Sequence, residues 1–179
     1  MGGMWTVQGQ TQLCEPSIDT IRHMGQPRTY IVKAEPLKSR AFKPFGQVID
    51  EGDMQMELRD EEVFHLNVLH YERAPLLCDH LNRHHRATQA LVPLGGRPAV
   101  VVVGPPELDY STDEHLPSTK AFIMDGTAGI NLGLHVWHWG PYPLMEHLDL
   151  VNVQGKYFDS DNEVAYLERD LGLIIEIAL

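Results

Sequence analysis

Short apolar runs broken by glycine and proline dominate the chain, and few stretches carry the 3.6-residue period of a long helix. Thr29-Tyr30-Ile31-Val32-Lys33-Ala34 predicts a strand ended by Pro36, and Gln47-Val48-Ile49 opens another. Residues 63–71 alternate so that His65, Asn67 and Leu69 share one face while Phe64, Leu66 and Val68 share the other. Further strands are predicted over 89–94, 99–103, 121–124, 134–139, 147–153 and 173–179. Gly95-Gly96 reads as a hairpin turn between the runs 89–94 and 99–103, because paired glycines supply the positive φ that tight hairpins need. Asp125-Gly126 marks a turn, and Gly133 and Gly140-Pro141 bound the run 134–139. Helical signals are brief. Residues 38–46 predict one turn closed by Pro44 and Gly46 with Phe42 and Phe45 buried, whereas 74–81 and 163–171 each read as a short helix or turn. The acidic stretch 51–62 has no strong period, and 104–117 reads as a long polar loop. The pattern predicts a mainly antiparallel β-barrel or double-sheet jelly roll with a few short helices.

Composition narrows what such a barrel does. Its 179 residues suit one domain, here residues 29–179, while residues 1–28 show neither period and read as a poorly ordered extension or, with Trp5, an arm on a partner subunit. A formal net charge of -11 argues against a nucleic-acid partner, which would need concentrated Lys and Arg. Cys14 and Cys78 are too few for a disulfide framework. The chain shows neither a run of about 20 apolar residues nor the pattern of a signal peptide, so the expectation is a cytoplasmic protein with no membrane partner.

Ten histidines are more than a core ordinarily uses, and His84, His135 and His138 flank the strongest strand and turn signals. On inward barrel faces His65, Asn67, His84, Gln89, His135 and His138 are the polar groups that would converge. The bland alternative is that each is a satisfied core or rim residue, and His23, His70, His80, His115 and His147 fit that description better. Trp137 and Trp139 suit a core as well as a substrate wall. A divalent metal at His84, His135 and His138 has weak support in the spacing. There is no His-x-His pair, the adjacent His84 and His85 point to opposite strand faces, and Gln89 is a poor ligand. No nucleophilic triad, phosphate-cradling loop or dinucleotide fingerprint is legible.

Three segments carry a family likeness: Phe42-Lys43-Pro44-Phe45-Gly46-Gln47-Val48-Ile49, then His84-x-x-x-Thr88-Gln89-Ala90-Leu91-Val92-Pro93, then Ala121-Phe122-Ile123-x-x-Gly126-x-x-Gly129-Ile130-Asn131 followed by Val136-Trp137-His138. In order and separation, over roughly residues 30 to 155, they resemble the ureidoglycolate lyase family of the cupin superfamily. The resemblance implies a cupin-type barrel, usually a homodimer, that cleaves ureidoglycolate into glyoxylate and urea in allantoin breakdown, a branch of purine catabolism. The chain departs from the family pattern at Asn82, Gly133, Trp139 and Asn152-Val153, and it lacks a clear counterpart of an Asn- and Arg-bearing stretch between Asp50 and Val63. If the chemistry is kept, His84 and His138 serve as general acid and base. Gln89 and Asn67 orient the ureido group, Arg86 meets the carboxylate, and His65, His135 and Trp137 complete the pocket. The alternatives are a divergent cupin enzyme for another small carboxylated substrate and a ligand-binding barrel without catalysis.

Overall fold

The computed structural model describes residues 26–50 and 52–179, so the extension expected over residues 1–28 lies almost wholly outside the described residues. The chain order is β1 (Arg28–Pro36), α1 (Ser39–Phe42), β2 (Gly46–Ile49), β3 (Phe64–Glu72), β4 (Leu77–Cys78), β5 (His80–His84), β6 (Gln89–Pro93) and β7 (Ala99–Gly104). A 3-10 turn (Asp113–Ser118) leads to β8 (Lys120–Met124), β9 (Gly129–Leu132), β10 (Trp137–Pro143) and β11 (His147–Gly155). The chain ends with α2 (Phe158–Asp161), β12 (Asn162–Tyr166), α3 (Leu167–Leu171) and β13 (Leu173–Ala178). These strands form an eight-stranded sheet, β12-β5-β10-β7-β8-β1-β13-β4, facing a five-stranded sheet, β2-β9-β6-β11-β3. This is the mainly β, double-sheet barrel that the pattern predicts.

The valine run explains how the layers hold together. β7 lies inside the large sheet between β10 and β8, and every one of its residues is buried. A strand covered on both faces reads as a continuous apolar run rather than an alternating one. Val101 and Val103 join Phe42, Phe45, Leu91, Phe122, Ile130 and Leu132 in a core between the sheets. Val100 and Val102 pack on the opposite face with Trp137, Leu167 and Ile175. The helical turn at α1 delivers Phe42 edge-on to Phe122, with ring centroids 5.3 Å apart, and so plugs one part of the barrel with aromatic rings.

Four local expectations change. Gly95 and Gly96 do adopt φ of 66° each, but β6 and β7 belong to different sheets, so the turn is a corner between layers and not a hairpin. Within residues 74–81, where a short helix or turn is expected, Leu77–Cys78 form β4 and His80 opens β5, because pairing with β13 and β12 supplies partners for their backbone. The run 134–139 becomes strand only from Trp137, and it continues past Gly140-Pro141 to Pro143 through a register shift. The sheet is also not wholly antiparallel, since β1 pairs in parallel with both β13 and β8.

Candidate functional site

Where the aromatic plug ends, the barrel interior turns polar. A cavity of about 250 Å³ is lined by Asn67, Leu69 and Tyr71 of β3, Asn82 and His84 of β5, Gln89 and Leu91 of β6, His138, Trp139 and Gly140 of β10, Gln154 of β11, and Phe158 and Asn162. Alternation along the strands places them there. Asn82 and His84 are two apart on β5, so they share its inward face, and β10 brings His138 opposite Asn82 in register.

Asn82 organises one wall. Its Nδ2 donates to Asn162 Oδ1 at 3.0 Å and lies 3.5 Å from both His84 Nε2 and His138 Nε2. The two imidazole centroids are 5.4 Å apart. His138 Nδ1 donates to the Val136 carbonyl at 2.9 Å, so the neutral ring carries its lone pair on Nε2, toward Asn82. Burial lowers the His138 pKa to about 3, assisted by the neighbouring His84. Burial also lowers that of His84, against the attraction of Asp161. Both rings are therefore neutral near pH 7. His84 Nδ1 is buried without a hydrogen-bond partner among the described residues.

Amides make the other wall. Gln89 Nε2 donates to Asn152 Oδ1 at 2.9 Å and to Gln154 Oε1 at 3.0 Å, and Asn152 Nδ2 donates to Asn67 Oδ1 at 2.8 Å. Asn152 is fully buried behind the cavity. Gln89 Oε1 is left buried and without a partner among the described residues. Such an atom is costly to leave unpaired.

Of the residues singled out from the sequence, the fold brings His84, His138, Gln89 and Asn67 to this cavity. The others lie elsewhere. His135 sits in the turn before β10 with a left-handed φ of 64°, and its Nδ1 meets that of His85 at 2.7 Å, on the other face of β5. Trp137 is core: its Nε1 donates to the Leu108 carbonyl at 2.8 Å and Arg83 stacks on its ring, leaving Trp139 as the aromatic wall. Arg86, expected to meet a carboxylate, instead donates to Ser160 Oγ at 2.8 Å and lies 3.2 Å from Asp161. The half-buried His65 pairs opposite Gln154 at the end of β3 and does not line the cavity. His135, named with His84 and His138 for a metal, meets His85 and does not line the cavity. Among the described residues no three His, Cys, Asp or Glu side chains gather to hold an ion.

Sequence reading misses Asn82, Asn152, Gln154, Asn162 and Phe158. Two signals could have found some of them. Asn82 stands at i−2 from His84, and Asn152 and Gln154 continue the inward alternation set by Leu148 and Leu150 on β11.

A family model described as "Ureidoglycolate lyase" matches residues 54–173. A ureidoglycolate lyase of Azotobacter vinelandii is 31% identical over 139 residues, covering 66% of this chain and 80% of that protein. One from Burkholderia mallei is 32% identical over 140 residues, covering 66% and 79%, and one from Salmonella typhimurium is 30% identical over 131 residues, covering 58% and 74%. Among solved structures, RmlC from Streptococcus suis in complex with dTDP-D-xylose aligns with a TM-score of 0.39 at 15% identity, covering 52% of this chain and 44% of that one.

Proposed function

The chain belongs to the ureidoglycolate lyase family, and from that premise we propose that it cleaves ureidoglycolate into glyoxylate and urea in the barrel cavity. The observation that carries the proposal is the pair of neutral, buried imidazoles facing one another across Asn82. His138 is the base, because the Val136 carbonyl holds its proton on Nδ1 and leaves Nε2 free to accept another. His84 is the acid. His138 takes the proton of the substrate hydroxyl, and the O–H electrons become the second bond of the aldehyde C=O. The C–N bond breaks, its electron pair stays on the urea nitrogen, and His84 protonates that nitrogen. A proton passed back from His138 to His84 restores the pair. Water exclusion favours the step, since a desolvated imidazolium returns its proton readily.

Purified protein incubated with ureidoglycolate should release glyoxylate and urea in equal amounts, and His138→Ala and His84→Ala should each lower the rate of release by about 10² to 10⁴-fold. If the unaltered protein yields no glyoxylate, the lyase reading fails. Equal rates from the variants would move the chemistry out of this cavity.

The same proposal includes a cytoplasmic homodimer. No helix among the described residues is long and apolar enough to cross a membrane. The dimer rests on β3, an edge strand whose outer face exposes Leu66 at 64%, Val68 at 57% and Phe64 at 40%. Such an apolar edge is ordinarily covered. Leu66→Lys should shift sedimentation from dimer to monomer, and a monomeric wild-type protein would reject the assembly.

A further inference from the structure

The polar cavity does not end at its aromatic wall. A second cavity of about 150 Å³ adjoins it, and the two share Tyr71, Trp139 and Gly140. Both strands that pass from one space to the other change character in the same direction. The inward face of β3 runs Asn67, Leu69, Tyr71, from amide to aliphatic to aromatic, over about 13 Å. β10 runs from His138 through Trp139 to Pro141 and Pro143. The imidazoles and amides stay in the first space, and the second offers a ligand few hydrogen bonds. Pro141 and Pro143 have no N–H to donate. Tyr142 already donates its hydroxyl to the Leu77 carbonyl at 2.8 Å, so its ring is what remains for a ligand. Trp139 is held against His80, with ring centroids 3.6 Å apart. Glu72, the charged residue of this lining, is 76% exposed and lies 2.9 Å from His70. A register shift between Trp139 and Tyr142 carries β10 from one space into the other. Gly140 permits it at φ of 97°, where an added Cβ would lie 3.0 Å from the Tyr142 ring.

We propose that the two spaces form one amphipathic site, and that the protein takes small α-hydroxy acids whose reacting carbon carries an apolar side chain, seated against Trp139, Pro141 and Tyr142. The inference rests on the lyase reading for its reaction and adds the class of substrate. His138, which takes the hydroxyl proton, precedes Trp139 in β10, so the reacting carbon lies beside the wall that the two spaces share. Its fourth substituent then has the second space within reach. Trp139 is also a position at which the chain departs from the family pattern. On an α-hydroxy-α-ureido acid with such a side chain the step is the same, with carbon where ureidoglycolate has hydrogen. The O–H electrons become the second bond of C=O, the C–N bond breaks with its pair on nitrogen, and that nitrogen takes a proton. The products are an apolar α-oxo acid and urea.

Calorimetric titration of the full-length protein with two uncleavable pairs reads the second space directly. N-carbamoyl-leucine, in the better bound of its enantiomers, should bind at least about tenfold more tightly than N-carbamoylglycine, each buried methylene being worth roughly fourfold. Leucic acid should exceed glycolate in the same way. Ala74→Trp is the decisive variant, because Ala74 is an exposed residue of the second lining and an indole there fills the space. The preference should fall below about threefold, with binding of N-carbamoylglycine unchanged. Circular dichroism and thermal melting confirm that the variant is folded. A preference in either pair that Ala74→Trp removes supports the proposal. Absence of a preference in both pairs, or a preference retained in folded Ala74→Trp, overturns it. If the α-hydroxy pair shows the preference while ureidoglycolate releases no glyoxylate, the amphipathic site stands and the lyase reading falls.

Discussion

His84 and His85 are neighbours in the chain and His135 and His138 nearly so, yet the four sort into two pairs of opposite character. His84 and His138 lie inside the barrel, 8% and 6% exposed, with burial holding both neutral. His85 and His135 lie on the other face of the same strand. There His85 joins its Nδ1 to that of His135 at 2.7 Å and its Nε2 to Glu163 at 2.9 Å, and Arg83 pairs with Glu163 in turn. One pair faces a cavity with hydrogen-bonding capacity unspent, while the other has spent most of its capacity on partners. Imidazole count therefore says little about chemistry; the side of the strand and the unspent lone pairs say more.

The largest test of that contrast is activity. His138→Ala should lower glyoxylate release by about 10² to 10⁴-fold, the range of a lost general base. His85→Ala should change it less than about threefold. A comparable loss from His85→Ala, measured as kcat with folding checked, would erase the functional difference between the pairs.

A structural test concerns the residue that holds the two faces in place. Asp161 accepts from the backbone N–H groups of His85 and Arg86 at 3.0 and 2.9 Å, and lies 3.2 Å from Arg86 Nε. It thereby ties α2, and with it the cavity wall at Phe158 and Asn162, to the end of β5. Asp161→Ala should cost about 3 kcal/mol in chemical denaturation, since it leaves two part-buried donors and a cation without their acceptor. It should also raise KM more than it lowers kcat. A stability change under about 1 kcal/mol would show that α2 is held by other means.

Much of this arrangement is legible in the residues, and what is not has a physical cause. The valine run announces a doubly buried strand, and Phe42 and Phe45 announce a plug. Alternation over 63–71 puts Asn67 inward. The sequence misplaces His135 because the six-residue run 134–139 gives no sign of where its first residues bend, and a non-glycine residue at positive φ has no strong signature. Asn82 reads as a departure from a family carboxylate and not as a group two residues from His84 on one face, since 74–81 reads as a helix or turn. Arg86 looks free because its partners Asp161 and Ser160 are distant in sequence. Side-chain networks of this kind depend on tertiary contacts that no local pattern encodes.

Acid should also separate the pairs. An unfolded histidine titrates near 6.5, whereas His138 in the fold titrates at about 3 and His84 is shifted in the same direction. Between those limits the unfolded chain binds more protons, so stability is full above pH 6.5 and falls with decreasing pH toward 3. The slope is at most about 1.4 kcal/mol per pH unit for each group. Urea unfolding at pH 7.0, 6.0 and 5.0 should show the decline, and His138→Gln should reduce it. Activity should not show an inflection at 6.5, because the two cavity imidazoles stay neutral below it. An inflection there would mean that the buried rings titrate normally.

The smallest effect is expected where the outer pair is strained. His135 holds φ of 64°, a region that costs a residue with a Cβ on the order of 1 kcal/mol and costs glycine little. His135→Gly removes that strain and also removes the hydrogen bond to His85, while the added freedom of the unfolded chain takes back part of the gain. The opposing terms are each about 1 kcal/mol, so stability should move by less than that, with turnover unchanged. The left-handed turn is needed for a different reason: the Val136 carbonyl, one residue on, must reach His138 Nδ1. Glycine keeps that geometry available. His135→Val, branched at Cβ and hostile to positive φ, should distort it and lower activity although it touches nothing in the cavity. If both variants behave alike, the turn's backbone does not set the tautomer of His138.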